Sequence, residues 1–404
     1  MIYQSYQRYT NWVDSVRQFS DVTQKYSRSW LDQTGVKSIP HLDAHYEQLT
    51  FLRFSHTRPD FKINVATDAS GVEHEVIERR VHASAFCGLQ HFKKRGVEGE
   101  PKILLVAPMS GHFATLLAGT VRTLLQDHEV YLTDWFNIRD VAPECGTFDL
   151  DAYATHIVEF MRWIGPGAHL MGVCQPTVAC LVAAAVMAED KDPCQPLSLT
   201  LMAGPVDARI NPTKVNELAT EKPFEWFEKK LISTVPQHFA GGGRRVYPGF
   251  LQLTAFMSMN TKRHAESFKN MYAYRVSGQD ARADVIRDFY EEYFAIMDLS
   301  ADFYLETIKK VFQEYDLPRG LMTYKGCPIN LAAIRKPFLL TVEGERDDIC
   351  GIGQTLAAQD LCSGLPGWKK SHHLQAGVGH YGVFNGKKWE SQIYPVVRNH
   401  IQSV

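Results

Sequence analysis

The sequence predicts an α/β protein: a mostly parallel sheet with helices on both faces, interrupted late by a mainly helical cap insertion. Three observations carry this. Short apolar runs alternate with helix-period stretches from Pro101 to Ala203, the alternation stops between residues 212 and 335, and strand character returns at Pro337–Glu343. The chain accordingly divides into an N-terminal helical extension (1–60), a first core segment (61–211), the cap (212–335) and a second core segment (336–404).

Taken in order, Tyr9, Trp12, Val13, Val16 and Phe19 recur at helical spacing, so an amphipathic helix is expected in the extension. Phe61–Val65 and Val76–Phe86 are β-type runs flanking the turn formers Asp68-Ala-Ser-Gly71, which predicts a hairpin. Ile103–Ala107 is continuously apolar, as a strand buried on both faces must be. A helix over Leu116–Leu125, a strand at Val130–Thr133, a helix over Ala152–Trp163 and a strand at His169–Val173 follow. A small-residue helix over Thr177–Met187 and a strand at Leu197–Ala203 complete the first core segment. In the cap, Val285, Phe289, Tyr293, Phe294 and Met297 form one amphipathic run, and Leu305, Ile308, Val311 and Phe312 another. Gly241-Gly-Gly243 is expected to be a mobile loop, and with no Gly-Lys-Ser/Thr after it no phosphate site is expected there. Ser371–Leu374 is the last expected strand.

Composition narrows the function classes. With 43 Lys+Arg against 45 Asp+Glu the net charge is −2, which argues against a nucleic-acid partner held by a basic face. No run reaches the ~18–20 apolar residues that span a bilayer, and the start Met1-Ile-Tyr-Gln-Ser5 has no apolar core of a secretory signal. The eight cysteines form no Cys-x-x-Cys and read as reduced thiols of a cytosolic protein. His372 and His373 are strand neighbours facing opposite ways, so they make no metal site, and neither metal nor cofactor is expected.

The sharpest local signal is Leu170-Met-Gly-Val-Cys-Gln-Pro-Thr177. A strand ends, a small-residue helix begins, and Cys174 stands between them, as at a nucleophile elbow. The helix N-terminus favours a thiolate there, and the Gln175 amide is aimed to donate to an oxyanion. Compared with Gly-x-Ser-x-Gly the box is altered, with Cys for Ser and Pro176 for the second Gly; a proline is tolerated where the first helical turn needs no donor. The plainer reading of Cys174 is a buried structural thiol. A nucleophile of this kind needs an acid and then a base further along the chain. Gly344-Glu-Arg-Asp-Asp348 follows the late strand, so Asp347 is the expected acid, with Asp348 as the alternative; either could instead cap a helix near Ile352. His380, in Gly377-Val-Gly-His-Tyr-Gly382, is the expected base, its flanking glycines allowing a sharp turn. The second oxyanion donor is expected from Met109 or Ser110, in the loop Ala107–Phe113; Ser110 as the nucleophile is the weaker idea because it lacks the elbow.

These segments, with Met297-Asp-Leu-Ser-Ala-Asp-Phe-Tyr-Leu305, Val311-Phe-Gln313, Leu317-Pro-Arg-Gly320 and Gly379-His-Tyr-Gly-Val-Phe-Asn-Gly386, resemble the intracellular poly(3-hydroxybutyrate) depolymerases of bacteria over nearly the whole chain. The resemblance implies an α/β-hydrolase fold and a Cys174–Asp347–His380 triad. It also implies hydrolysis of the amorphous storage polyester to 3-hydroxybutyrate oligomers or monomer, at the granule surface in the cytoplasm. Three alternatives stand beside it: a polyhydroxyalkanoate synthase, whose box resembles Gly-x-Cys-x-Gly; transfer of the acyl group to coenzyme A; and a non-catalytic granule-coating protein, for which a degenerate triad would be expected.

Overall fold

The computed structural model describes Tyr3, Tyr6, Arg8, Thr10, Val22 and residues 40–51, 54–259 and 261–404. The expected helix around Tyr9, Trp12, Val13, Val16 and Phe19 lies outside the described residues. Helix α1 (Pro40–Phe51) precedes a hairpin of β1 (Val65–Thr67) and β2 (Glu73–Ala83). Asp68 closes it, accepting the Ser70 and Val72 amides on one carboxylate oxygen. β2 pairs antiparallel with β3 (Cys87–Lys94), and β3 with β5 (Glu129–Trp135). β4 (Lys102–Val106) joins β5 through α2 (Ala118–Leu124), and α3 (Leu150–Ile164) leads to β6 (His169–Val173). Then α4 (Thr177–Glu189) leads to β7 (Ser198–Met202).

β4, β6 and β7 are short and buried almost throughout, because helices cover both faces. The Leu, Ile, Val and Met residues that dominate them are what that double burial selects.

Between β7 and the next strand of the sheet lies the insertion. It holds α5 (Lys214–Glu221), α6 (Phe224–Leu231), α7 (Gly249–Met259), α8 (Thr261–Val276), α9 (Asp280–Tyr293) and α10 (Ala301–Glu306), which continues as a wider helical turn over Thr307–Gln313. A small sheet of β8 (Ser233–Thr234), β9 (Arg245–Tyr247) and β10 (Leu299–Ser300) and a pair, β11 (Thr323–Tyr324) and β12 (Cys327–Pro328), complete it. β13 (Phe338–Gly344) then returns beside β7, followed by α11 (Ala358–Leu361), β14 (Lys370–Gln375) and α12 (Tyr394–Gln402). The main sheet runs β1-β2-β3-β5-β4-β6-β7-β13-β14, parallel from β5 to β14. Without the short β1 this is the strand order of the α/β-hydrolase fold.

The insertion is fastened over the ends of β4 and β5. The Met297 amide donates to the Gly111 carbonyl at 2.9 Å, and the Asp298 amide to Asn137 Oδ1 at 3.0 Å. The N-terminus docks on it: Tyr3 donates to buried Asp298 at 2.6 Å, and the Tyr6 ring stacks on Phe250 at 3.9 Å.

Four expectations need correction. Phe61 and Ile63 are buried but not in a strand; β1 starts at Val65. The run Val76–Phe86 is not one strand: β2 ends at Ala83, a turn held by Ser84 follows, and β3 starts at Cys87. Gly241–Gly243 is a packed turn, with the Gly241 amide on the Arg139 carbonyl at 2.8 Å and no space for a Cβ at Gly241. Val285 faces solvent, although Phe289, Tyr293 and Phe294 pack as the amphipathic pattern requires.

Candidate active site

At the end of β6 the backbone turns into α4 through Cys174, whose φ is +68°. That left-handed conformation costs an L-residue roughly 1–2 kcal/mol, so the surroundings must enforce it. They do so with hydrogen bonds and close packing. The Cys174 amide donates to the Met202 carbonyl at 2.7 Å, and the Thr177 amide to the Cys174 carbonyl at 3.2 Å. A Cβ at Gly204 would collide with Thr177 Oγ1 and the Cys174 carbonyl, and one at Gly172 would meet Cys180 Sγ at 2.8 Å. Pro176 sits just before the helix and offers its carbonyl to the Cys180 amide at 2.8 Å. Its missing N–H has no helical partner to lose there. Cys174 and Gln175 are half-buried above the sheet.

Beyond β13, Asp347 and His380 are brought together across 33 residues: His380 Nδ1 lies 2.8 Å from Asp347 Oδ2, with both side chains buried. The other carboxylate oxygen of Asp347 accepts the Ile349 and Cys350 amides at 2.9 and 2.8 Å. A carboxylate only accepts, so His380 carries its proton on Nδ1 and turns Nε2 the other way. The imidazole also makes a polar contact with the Cys174 side chain. Burial pushes the His380 pKa down, but the charges of Asp347 and Cys174 and its hydrogen bonds to both outweigh it, and the net direction is well above the ordinary histidine value. Asp348 is exposed and does not take this position. No helix starts near Ile352; the next is α11, and Asp347 itself caps the turn at Ile349 and Cys350.

The loop after β4 comes up to the elbow. The Met109 amide points at Gln175 Oε1, 3.4 Å away, so the Met109 N–H and the residue after Cys174 share one spot. Ser110 is half-exposed, and Gly111 has φ +91° with its carbonyl taken by Met297.

The sequence did not single out the residues that brace these parts. Buried Glu343 accepts the Gly353, Thr355 and Leu356 amides, fixing the loop after Asp347. Thr355 in turn exchanges two hydrogen bonds with Gly204, behind the elbow. Tyr381, beside His380, packs its ring edge-on against that of Tyr293 of α9, with centroids 6.2 Å apart, and so ties the His380 loop to the insertion. Only Tyr381 had a local signal, its adjacency to His380. Among the described residues no cluster of His, Cys, Asp and Glu could hold a metal, and no helix is long and apolar enough to cross a membrane.

Solved structures similar to the chain include a bacterial membrane phospholipase A (16% identity, TM-score 0.45, covering 81% of this chain and 87% of that one). An epoxide hydrolase of Bacillus megaterium is similar at 14% identity and TM-score 0.47, covering 80% and 99%. The 2-hydroxy-6-oxo-6-phenylhexa-2,4-dienoate hydrolase of Rhodococcus sp. strain RHA1 is similar at 14% identity and TM-score 0.45, covering 81% and 99%. No curated protein matches the chain. The family model described as PHB de-polymerase C-terminus matches residues 203–404, the half that carries the insertion, Asp347 and His380. The chain belongs to the polyhydroxybutyrate depolymerase family.

Proposed function

We propose that this hydrolase cleaves the ester bonds of amorphous intracellular poly(3-hydroxybutyrate) through a cysteine acyl-enzyme, releasing 3-hydroxybutyrate oligomers and monomer. The observation that carries the proposal is the chain of contacts from Asp347 through His380 to Cys174, at a strained strand-to-helix turn of a depolymerase-family protein.

Cys174 Sγ attacks the ester carbonyl carbon while its proton resides on His380 Nε2, and the carbonyl oxygen becomes an oxyanion. The Gln175 and Met109 amides donate to it, once the Gln175 side chain has left the Met109 N–H that it now meets at 3.4 Å. Collapse breaks the ester C–O bond, and His380 passes its proton to the departing hydroxyl. Water then attacks the thioester, giving a proton to Nε2, and the acid leaves as the thiol is restored. Asp347 holds the imidazole in the tautomer that every step needs. The insertion over 212–335 acts as the cap, its aromatic residues giving the polyester chain an apolar path to the elbow.

The test is clearance of turbidity from native amorphous granules, with products identified by mass spectrometry in the presence and absence of coenzyme A. Wild type is expected to release free hydroxy acid without coenzyme A, and Cys174→Ala to release none while retaining its circular dichroism spectrum. Polymer growth from hydroxybutyryl-CoA, products formed only with coenzyme A, or full activity of Cys174→Ala would overturn the proposal.

A further inference from the structure

Ala107 sits where β4 leaves the sheet and the loop to Met109 begins. The last ladder pair of β4 joins Val106 to Gly172, so Ala107 has no strand partner. Three side chains stand in for one. The Ala107 amide donates to Thr133 Oγ1 at 2.9 Å. The Ala107 carbonyl accepts from Trp135 Nε1 and from the Tyr153 hydroxyl, each at 2.9 Å. Thr133, Trp135 and Tyr153 are fully buried and come from β5 and α3, not from the loop they hold. Pro108 follows with a fixed φ and no amide, so the next N–H along the chain is that of Met109.

Satisfying a buried carbonyl takes one donor, and here there are two. With the amide also held, the Ala107 peptide cannot rotate or slide, and Pro108 passes that restraint on to Met109. We propose that Thr133, Trp135 and Tyr153 are positioning residues that fix the Ala107 peptide and thereby aim the Met109 N–H at the developing oxyanion. The proposal rests on the acyl-transfer reading above. None of the three touches substrate; they act through the loop. An oxyanion donor is effective only when its direction is set before the reaction, since a misplacement of about 1 Å can cost ~100-fold in rate.

The test uses Tyr153→Phe, Thr133→Val and Thr133→Ser in the full chain. Tyr153→Phe leaves the carbonyl its indole donor, so it creates no orphaned group, and Thr133→Ser keeps the acceptor. Two reactions of the same cysteine are compared. Hydrolysis of a soluble hydroxybutyrate ester passes through an oxyanion. Alkylation of Cys174 by iodoacetamide forms an S–C bond, expels iodide and needs no oxyanion donor; it is followed by mass spectrometry of the Cys174 peptide. Tyr153→Phe and Thr133→Val are each expected to lower kcat about tenfold with KM within about twofold, and the pair together about 100-fold, the scale of losing one oxyanion donor. Alkylation should stay within about twofold of wild type, and Thr133→Ser should restore most of the ester rate. Unchanged kcat in both single variants, or alkylation falling in step with kcat, would overturn the proposal. If wild type with Cys174 fully alkylated still hydrolyses the ester, the nucleophile assignment fails and the oxyanion role with it, a result seen in wild type alone.

Discussion

Asp347→Asn probes the site where the geometry is most demanding. The carboxylate serves two masters: Oδ2 faces His380 Nδ1 at 2.8 Å, and Oδ1 accepts two backbone amides. An asparagine amide can keep its oxygen on only one side. Turning its NH2 toward the backbone would set donors against donors and orphan two amides, at a cost of about 1–3 kcal/mol each. The oxygen therefore stays with Ile349 and Cys350, and the NH2 faces His380. The imidazole must then accept at Nδ1 and carry its proton on Nε2, where it cannot receive the proton of Cys174. In the analogous serine triad that wrong tautomer costs about four orders of magnitude in kcat, or ~5 kcal/mol of transition-state stabilisation. The assay is release of hydroxy acid from a soluble hydroxybutyrate ester by Asp347→Asn and Asp348→Asn. Asp347→Asn should lose nearly all of its rate while Asp348→Asn remains within about tenfold of wild type. An Asp347→Asn enzyme within tenfold of wild type, or a larger loss at Asp348, would refute the tautomer argument.

Further outcomes follow from the elbow and from the buried histidines. Glycine adopts the +68° φ of residue 174 without strain, so Cys174→Gly should be more stable than Cys174→Ala by about 0.5–1 kcal/mol after the entropy cost of glycine; urea titration of the two variants measures it. Gly204→Ala drives a methyl group into Thr177 and the Cys174 carbonyl, and should cost ~3 kcal/mol in stability together with most of the activity, read by thermal unfolding and ester turnover. Burial holds His112, His128 and His169 at pKa values of about 4. The folded state refuses a proton that the unfolded chain accepts below its ordinary histidine pKa of about 6.5, so stability falls as pH drops from 6.5 to 4, each site contributing up to ~3 kcal/mol. Unfolding free energies that stay level between pH 7 and 4.5 would contradict this.

The first core strand was legible because burial on both faces leaves a continuous apolar run, as in Ile103–Val106. β3 was not. It carries Gln90, His91, Lys93 and Lys94 on a largely buried strand, and Lys94 is admitted because Glu100 pairs with its charge and the Leu125 and Gln126 carbonyls accept its protons. The carbonyl partners lie about thirty residues along the chain and leave no periodic trace. Gly241–Gly243 misled for the opposite reason: its composition suggests freedom, but the Arg139 backbone packs where a Cβ of Gly241 would be. In the candidate site, the positions of Cys174 and Asp347 just past strand ends were legible from spacing, and the loop position of His380 from its flanking glycines. The brace at Ala107 was not, since Thr133, Trp135 and Tyr153 read as ordinary core positions until their hydrogen bonds are seen.

The central claim, a cysteine acyl-enzyme, is tested most directly by trapping the intermediate. Wild type is mixed with excess hydroxybutyrate trimer, quenched in acid during turnover, digested and examined by mass spectrometry. The expected result is a hydroxybutyryl group on the peptide containing Cys174, removed by hydroxylamine as a thioester is, and missing from Cys174→Ala. Steady ester turnover with the acyl group on another residue, or sustained turnover by Cys174→Ala, would contradict it.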